Sequence, residues 1–269
     1  MQRFFVPPES LAGRAVGDVV EIAGPVAQQL ARVLRARPGE RIALLDDTGW
    51  AYQADLETVS PAAATARLVS RERPDTEPRV EVALYQALPK HHKFDWILQK
   101  GTELGVSTFV PLITRLSDVR RGDRSPDHKV ERWERIVTEA AEQSGRTRRP
   151  RVLPVQEFEA ACAAPPAGTL ALLPYEGERA HTLADVLMRH ATDAGRGDSA
   201  RGDSARADAA RAVRVYIGPE GGFDRAEVAL ARERGVEIVT LGRRILRAET
   251  AALAAVAIVL YTLDEARAG

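Results

Sequence analysis

V-Y-I-G-P-E-G-G-F-D, from Val215 to Asp224, and L-G-R-R-I-L-R-A-E-T-A-A, from Leu241 to Ala252, decide how this chain folds. The first run carries a β-type segment (Val213, Val215, Ile217) into Gly218-Pro219-Glu220-Gly221-Gly222. Asp224 followed three residues later by Glu227 is a capping-box pattern, so a helix is expected to open there. The second run repeats the plan. Val236, Ile238 and Val239 form a strand, Gly242 breaks it, Arg243 to Arg247 make a basic loop, and an apolar helix follows over Ala248 to Leu263. Two strand–loop–helix units in tandem set both loops at one edge of a parallel sheet, where open α/β proteins bind ligands. A Gly-Gly pair alone is an ordinary turn, because glycine reaches φ > 0 at no steric cost. Two such loops at this separation point to a site.

Upstream, the same alternation continues. Val80, Val82 and Leu84 read as a strand, and Phe94, Ile97, Leu98 and Leu104 as one face of a helix closed by Gly105. Val106 to Leu112 is the next strand, His128 to Ser144 a second helix, Leu170 to Leu173 a buried strand ending at Pro174, and Thr182 to His190 a further helix. This is the pattern of a parallel α/β domain. The first seventy residues differ. Strand-like starts at Phe4 to Val6 and Val19 to Ile22 precede a short helix with Val26, Leu30, Val33 and Leu34 on one face. Three β-type runs follow, Arg41 to Leu45, Trp50 to Leu56 and Ala64 to Val69, with Asp46 to Gly49 as a hairpin turn. Many short strands with one helix suggest a small barrel. R-E-R-P-D-T-E-P-R at Arg71 to Arg79 has linker composition, so two domains are expected, residues 1–73 and 74–269. An insert at about 193–211 holds R-G-D-S-A twice and reads as a flexible surface loop that cannot cover a core.

Bulk properties narrow the class. The 269 residues carry 38 basic and 38 acidic side chains, which argues against a binder driven by a charged tail while leaving room for a local basic face. One cysteine, Cys162, supports neither a disulfide framework nor a metal cluster, and indicates a reducing cytoplasm. The N-terminus lacks an export pattern. The longest apolar run, Ala251 to Tyr261, is too short for a bilayer, so no membrane association is expected. Charge is local: from Ile113 to Arg151 basic residues exceed acids by four, concentrated in two loops, Arg115 to Arg124 and Arg146 to Arg151. Flexible arginines bind phosphate in a bidentate way, which makes these loops candidates for nucleic-acid contact. Lys90, His91, His92 and Lys93 add to the charge, but the His pair has no further ligand at metal spacing.

The two glycine-containing runs, with R-F-F-V at Arg3 to Val6, L-Q-K-G-T-E-L-G-V at Leu98 to Val106 and E-A-A-E-Q-S-G-R at Glu139 to Arg146, resemble the signature of the 16S ribosomal RNA (uracil-N3)-methyltransferases of the SPOUT class. The resemblance spans nearly the whole chain. It departs at Gly101, where relatives usually carry Ala, and at Gln28-Gln29, where a His is often found. The resemblance implies an N-terminal PUA-like RNA-binding barrel, a C-terminal trefoil knot that binds S-adenosylmethionine, a homodimer, and as substrate uridine 1498 (rRNA numbering) in the rRNA or the assembled 30S subunit.

A donor with adenine, ribose and a sulfonium needs close backbone approach and apolar walls. Gly218, Gly221, Gly222 and Gly242 allow the first, and Leu241, Ile245 and Leu246 supply the second. In the knotted arrangement that the resemblance implies, Leu173-Pro174 adds a third side. Ile217, Pro219, Glu220, Arg247, Thr250 and Ala251 complete the candidate cofactor set. Uracil N3 carries a proton, so that proton must be removed or the charge on O2 and O4 stabilised. Arg247 is the candidate for electrostatic stabilisation. Glu249 or Glu220 is the candidate proton acceptor or the residue that orients Arg247, and Glu249 has a structural alternative as a helix cap with Thr250. Arg3, Arg35, Lys93, Lys100, Arg115, Arg146 and Arg148 are the candidate RNA contacts. No metal is expected. A competing reading from another class is a non-catalytic RNA-binding module with a vestigial nucleotide pocket. A dinucleotide enzyme is disfavoured, because no G-x-G-x-x-G or G-K-[ST] follows a strand.

Overall fold

The structure, a computed structural model, describes residues 1–90, 92–118, 126–196 and 212–263. Contacts divide it into two units, Met1–Glu77 with Thr138–Arg149, and Pro78–Val137 with Pro150–Gly269. The repeats that dominate the expected insert, together with His91, Arg120, Arg121 and Arg124, lie outside the described residues.

In the first unit β1 (Arg3–Phe5), α1 (Pro8–Leu11), β2 (Val19–Ala23), α2 (Gly24–Gln28), β3 (Arg41–Leu45), β4 (Ala51–Val59) and β5 (Ala63–Glu72) form a mixed five-stranded sheet of order β1-β3-β4-β5-β2 with its two short helices. Phe4, Val20, Ile22, Leu44, Leu56 and Leu68 fill its core, each from the inward side of an alternating strand. The hairpin turn between β3 and β4 forms where expected. Asp46 accepts from the N–H groups of Thr48 (2.9 Å) and Trp50 (3.1 Å), while Asp47 and Gly49 take positive φ of 62° and 110°. Two expectations change. The helix over Val26 to Leu34 widens after Gln28 into a looser turn ended by Arg35 at φ 52°. The widened pitch rotates the later residues off the inner face, so Leu30 is fully buried while Val33 is 73% exposed. The third strand does not stop at Val69 but runs on to Glu72, because Arg71 pairs with Tyr52 across the sheet and lays its guanidinium 3.8 Å from the Trp50 ring.

The second unit holds β6 (Glu81–Ala87), α3 (Lys93–Leu104), β7 (Thr108–Ile113), the start of α4 (Pro126–Ser144), β8 (Arg151–Val152), β9 (Gln156–Glu157), α5 (Phe158–Ala161), β10 (Thr169–Pro174), α6 (Leu183–Arg196), β11 (Ala212–Ile217), α7 (Arg225–Glu233), β12 (Glu237–Val239) and α8 (Ala248–Leu263). Its seven strands run β12-β10-β11-β6-β7-β8, with β9 also on β7, and every pairing is parallel. Helices cover both faces, as a parallel sheet requires. Val82 and Leu84 face a core shared with Ile97, Leu187 and Val256, whereas Ala87 and Tyr85 face one shared with Ala161 and Val228.

Where α3 crosses β7, Gly101 has a specific reason. A Cβ there would sit 2.8 Å from Cε1 of the buried Phe109 ring. Gly101→Ala should therefore lower stability despite the better helix propensity of alanine. Overpacking costs about 1–3 kcal/mol against a propensity gain of about 1 kcal/mol, and the urea midpoint should fall. An unchanged or raised midpoint would show that Phe109 yields freely.

Candidate active site

Three loops leave the carboxyl ends of adjacent strands β10, β11 and β12 and enclose a cleft of about 490 Å³. The loop after β11 runs from Ile217 to Phe223. It folds tightly enough that a Cβ on Gly218 would lie 3.0 Å from the carbonyl carbon of Gly222, and Gly222 itself takes φ 73°. Its turn is closed by the Gly222 N–H donating to the Pro219 carbonyl at 3.0 Å. The loop is then locked into α7 by the expected capping box: Asp224 accepts from the Ala226 N–H and Glu227 from the Asp224 N–H, each at 2.9 Å. Glu227 does more than cap. It is almost fully buried and also accepts from the Arg115 N–H at 2.9 Å, tying the loop after β7 to the same floor.

The loop after β12 contributes Thr240, Leu241, Gly242 and Arg244 to Arg247, with Gly242 at φ 110° and the Thr240 hydroxyl 3.2 Å from both the N–H and the carbonyl of Gly242. The strand end at β10 contributes Pro174, Tyr175 and Glu176, and α8 contributes Ala248 and Ala251. Among the expected cofactor residues, Pro174, Ile217, Gly218, Pro219, Glu220, Gly221, Gly222, Leu241, Gly242, Ile245, Leu246, Arg247 and Ala251 share this one cleft. Leu173 and Thr250 do not line it. Leu173 faces the core beneath, because alternation on β10 turns it away from Pro174, and Thr250 is exposed on the first turn of α8. Ile245 is 87% exposed, an apolar wall open to solvent.

Charge gathers at one edge. The Lys93 ammonium, from the first turn of α3, lies 3.0 Å from Oε1 of Glu220 and 3.5 Å from Oε2 of Glu249. Glu220 also accepts from the Lys90 N–H at 3.1 Å. Partial burial pushes the Glu220 carboxyl up, but the bonds from Lys93 and the Lys90 N–H outweigh it and hold the group below its ordinary range. The same contact with Glu220 raises Lys93, so it stays cationic. Glu249 is not on the cleft wall, and its Oε2 is buried with no hydrogen bond. Arg247 differs from Lys93. It is exposed on the cleft wall, and among the described residues no acid or carbonyl holds its guanidinium. Glu176, Tyr175, Phe223 and Arg244 were not anticipated. Their only signal is position, one or two residues beyond Pro174, Gly222 or Gly242.

The expected RNA contacts scatter. Lys93 lies in the cleft, Lys100 pairs with Glu103 at 2.8 Å, and Arg115 reaches Glu159 at 3.1 Å. In the first unit Arg3 and Arg35 are exposed, and Arg148 is exposed with one guanidinium nitrogen on the Thr48 carbonyl. Arg146 is an internal tie instead of an arm. It is 5% exposed, with Nε and Nη2 on Glu77 at 3.2 and 2.8 Å, because a buried guanidinium requires a carboxylate partner.

The family described as an RNA methyltransferase domain matches residues 76–260. A ribosomal RNA small subunit methyltransferase E from Synechocystis sp. is 34% identical over 258 residues, covering 95% of this chain and 76% of the relative. This chain belongs to the ribosomal RNA small subunit methyltransferase E family. The member of that family from Bacillus subtilis (strain 168) is 29% identical over 266 residues, 98% of each chain. A crystal structure of the methyltransferase E from Neisseria gonorrhoeae, bound to S-adenosyl methionine, matches with a TM-score of 0.81 at 34% identity, covering 98% of both chains. Within the family fold, the cleft described above stands on strands β10, β11 and β12. Among the described residues, no group of three or more His, Cys, Asp or Glu could hold a metal ion, and no helix is long and apolar enough to cross a membrane.

Proposed function

We propose that this chain transfers a methyl group from S-adenosylmethionine to N3 of a uridine in 16S ribosomal RNA. The cleft carries the reading. Its volume suits a cofactor, Ile217, Leu241, Leu246 and Ala251 offer apolar faces for a purine, and Glu176 and Glu220 offer carboxylates to a sulfonium. Family membership, and the S-adenosyl methionine held by the Neisseria gonorrhoeae relative, support the same cofactor. When bound, the cofactor supplies the electrophilic methyl group. Methyl transfer is an in-line displacement, so the chain mostly has to position the acceptor nitrogen. Arg247, with its guanidinium uncommitted, is the residue that bonds a uracil carbonyl and stabilises the negative charge left as N3 loses its proton to solvent water. The depressed Glu220 carboxyl is a weak base, better suited to holding Lys93 than to accepting that proton. Glu249 is then held by Lys93 at the cleft edge.

The same reading takes residues 1–73 as a PUA-like RNA-binding barrel and residues 74–269 as a knotted SPOUT domain. It also takes the working species as a cytoplasmic homodimer. Ile258 and Tyr261, 40% and 72% exposed on α8, are the apolar surface a second copy would cover. Labelled S-adenosylmethionine mixed with the protein and small subunits from a strain lacking the modification should place label on one uridine at N3. Calorimetry with S-adenosylmethionine, NAD and ATP should show binding of the first alone. No label, or no binding of any of the three, would return the chain to a non-catalytic RNA-binding module.

A further inference from the structure

We propose that a hollow in the first unit, between Gly49, Arg73 and Arg148, seats a backbone phosphate of the RNA substrate. The inference rests on the reading of RNA as substrate and adds a place where it is held. The hollow has a volume of about 330 Å³ and lies within the first unit, with Asp75, Glu77 and Thr147 also on its walls. Gly49 ends the β3–β4 hairpin turn at φ 110°, and a Cβ built on it would sit 3.4 Å from Nε of Arg73, 3.6 Å from Nε of Arg148 and 3.7 Å from Nη2 of Arg148. Two guanidinium groups therefore converge on one point, over a residue with no side chain to fill it.

Like charges repel, so such convergence normally has a carboxylate between them. Here it does not. Glu77 is saturated: it takes Nε and Nη2 of Arg146 and the N–H groups of Thr147 (2.7 Å) and Arg148 (3.1 Å). Among the described residues neither Arg73 nor Arg148 forms an ion pair with an acid; Arg73 only approaches the Trp50 ring at 5.9 Å, and Arg148 donates one bond to the Thr48 carbonyl at 3.1 Å. A third feature is independent of charge. Thr147 is 1% exposed, and its hydroxyl has no hydrogen-bond partner, a state that buried polar groups rarely keep.

Guanidinium forks match the oxygens of a phosphodiester, and a dianion is not required. Beside the hollow, the Arg71 guanidinium carbon sits 3.8 Å from the Trp50 ring centroid, a cation on an aromatic ring against which a neighbouring base can stack. Both observations favour a single-stranded or looped RNA segment over a protein partner.

The test uses the full-length protein, an unmethylated 16S rRNA fragment labelled for fluorescence anisotropy, and a KCl series. The Arg73→Ala/Arg148→Ala double variant should bind about tenfold more weakly near physiological salt. Its slope of log K against log[KCl] should be shallower by about 0.7 to 0.9, the amount one phosphate contact contributes. The Arg73→Lys/Arg148→Lys variant keeps the charge, so it should keep the slope while losing part of the affinity. Donor affinity by calorimetry and the thermal midpoint should both match wild type in each variant, which together report that the proteins are folded. Wild-type affinity and slope in the alanine variant, with the wild-type protein binding donor and rRNA, would overturn the phosphate site alone. Failure of the wild-type protein to bind the rRNA fragment at all would overturn this site, whereas the methyltransferase reading stands or falls by label transfer to small subunits. Competition of the RNA by inorganic phosphate at millimolar concentration would also count against it, because the hollow would then hold a free anion better than a backbone phosphate.

Discussion

Gly218→Val should weaken S-adenosylmethionine binding by about 5- to 150-fold while leaving the protein folded. The argument is local. A Cβ at residue 218 would meet the Gly222 carbonyl carbon at 3.0 Å, the Gly222 Cα at 3.2 Å and Cδ2 of Phe223 at 3.2 Å. Two of those three atoms are backbone, which cannot swing aside as a side-chain tip can, and valine adds two branches to the same space. The loop must open. Its lower end is fixed by the Asp224–Glu227 capping box, so the opening falls on the Pro219 to Gly222 turn that lines the cleft. Overpacking of this kind costs about 1–3 kcal/mol, and each 1.4 kcal/mol charged against binding is about tenfold in Kd. Calorimetric Kd values for wild type, Gly218→Ala and Gly218→Val should rise in that order. Wild-type affinity in the valine variant, with an unshifted thermal midpoint, would mean that this turn does not shape the donor site.

Much of that site is visible in the bare sequence, because turn chemistry is local. Glycines after β-type runs, a capping box and an apolar helix specify two loops and their direction without any long-range contact. They do not specify which strands are neighbours. The order β12-β10-β11-β6-β7-β8 puts the Pro174 end beside both glycine loops, although it lies more than forty residues away from the first of them in the chain. Nothing in the local pattern at Leu173-Pro174 carries this; resemblance had to supply it. The basic residues are the reverse case. Lys93, Arg146 and Arg148 look alike in sequence, yet the first is committed to Glu220 and Glu249, the second is buried on Glu77, and the third stays exposed. The partners of the first two lie from 69 to 156 residues away, while Arg148 has no such acid among the described residues. Arginine counts therefore indicate where charge lies along the chain and say little about which charges remain free for a ligand. The end of α4 shows the same limit. Its periodicity is continuous, but Thr138–Arg149 packs with the first unit through Ala141 against Phe5, Leu45 and Ala51.

Arg247→Ala should lower the rate of methyl transfer by about 100- to 1000-fold with donor affinity little changed, the loss seen when one preorganised donor to a developing negative charge is removed. Arg247 sits just before α8, and its carbonyl accepts from the Ala251 N–H at 2.8 Å. That bond is made by the main chain, so truncating the side chain leaves the helix start in place. Lys93 cannot take over the task, because two carboxylates already hold its ammonium. The deficit should also depend on pH in a particular direction. Uracil N3 becomes a better nucleophile as pH rises and its proton leaves without help, so the variant should recover part of its rate in alkaline buffer while the wild type gains less. Glu220 should add no inflection at neutral pH in either protein. Its folded-state pKa is depressed, so it is ionised from below its ordinary value upward, and its contribution is lost only as pH falls through that lowered value. Arg247→Lys restores a charge without the planar fork and should recover only part of the rate. Single-turnover rates across a pH series, alongside calorimetric donor affinities, read all of this. A variant that turns over like wild type at every pH, with native donor affinity, would remove Arg247 from the chemistry and leave it as one more solvated arginine on the rim.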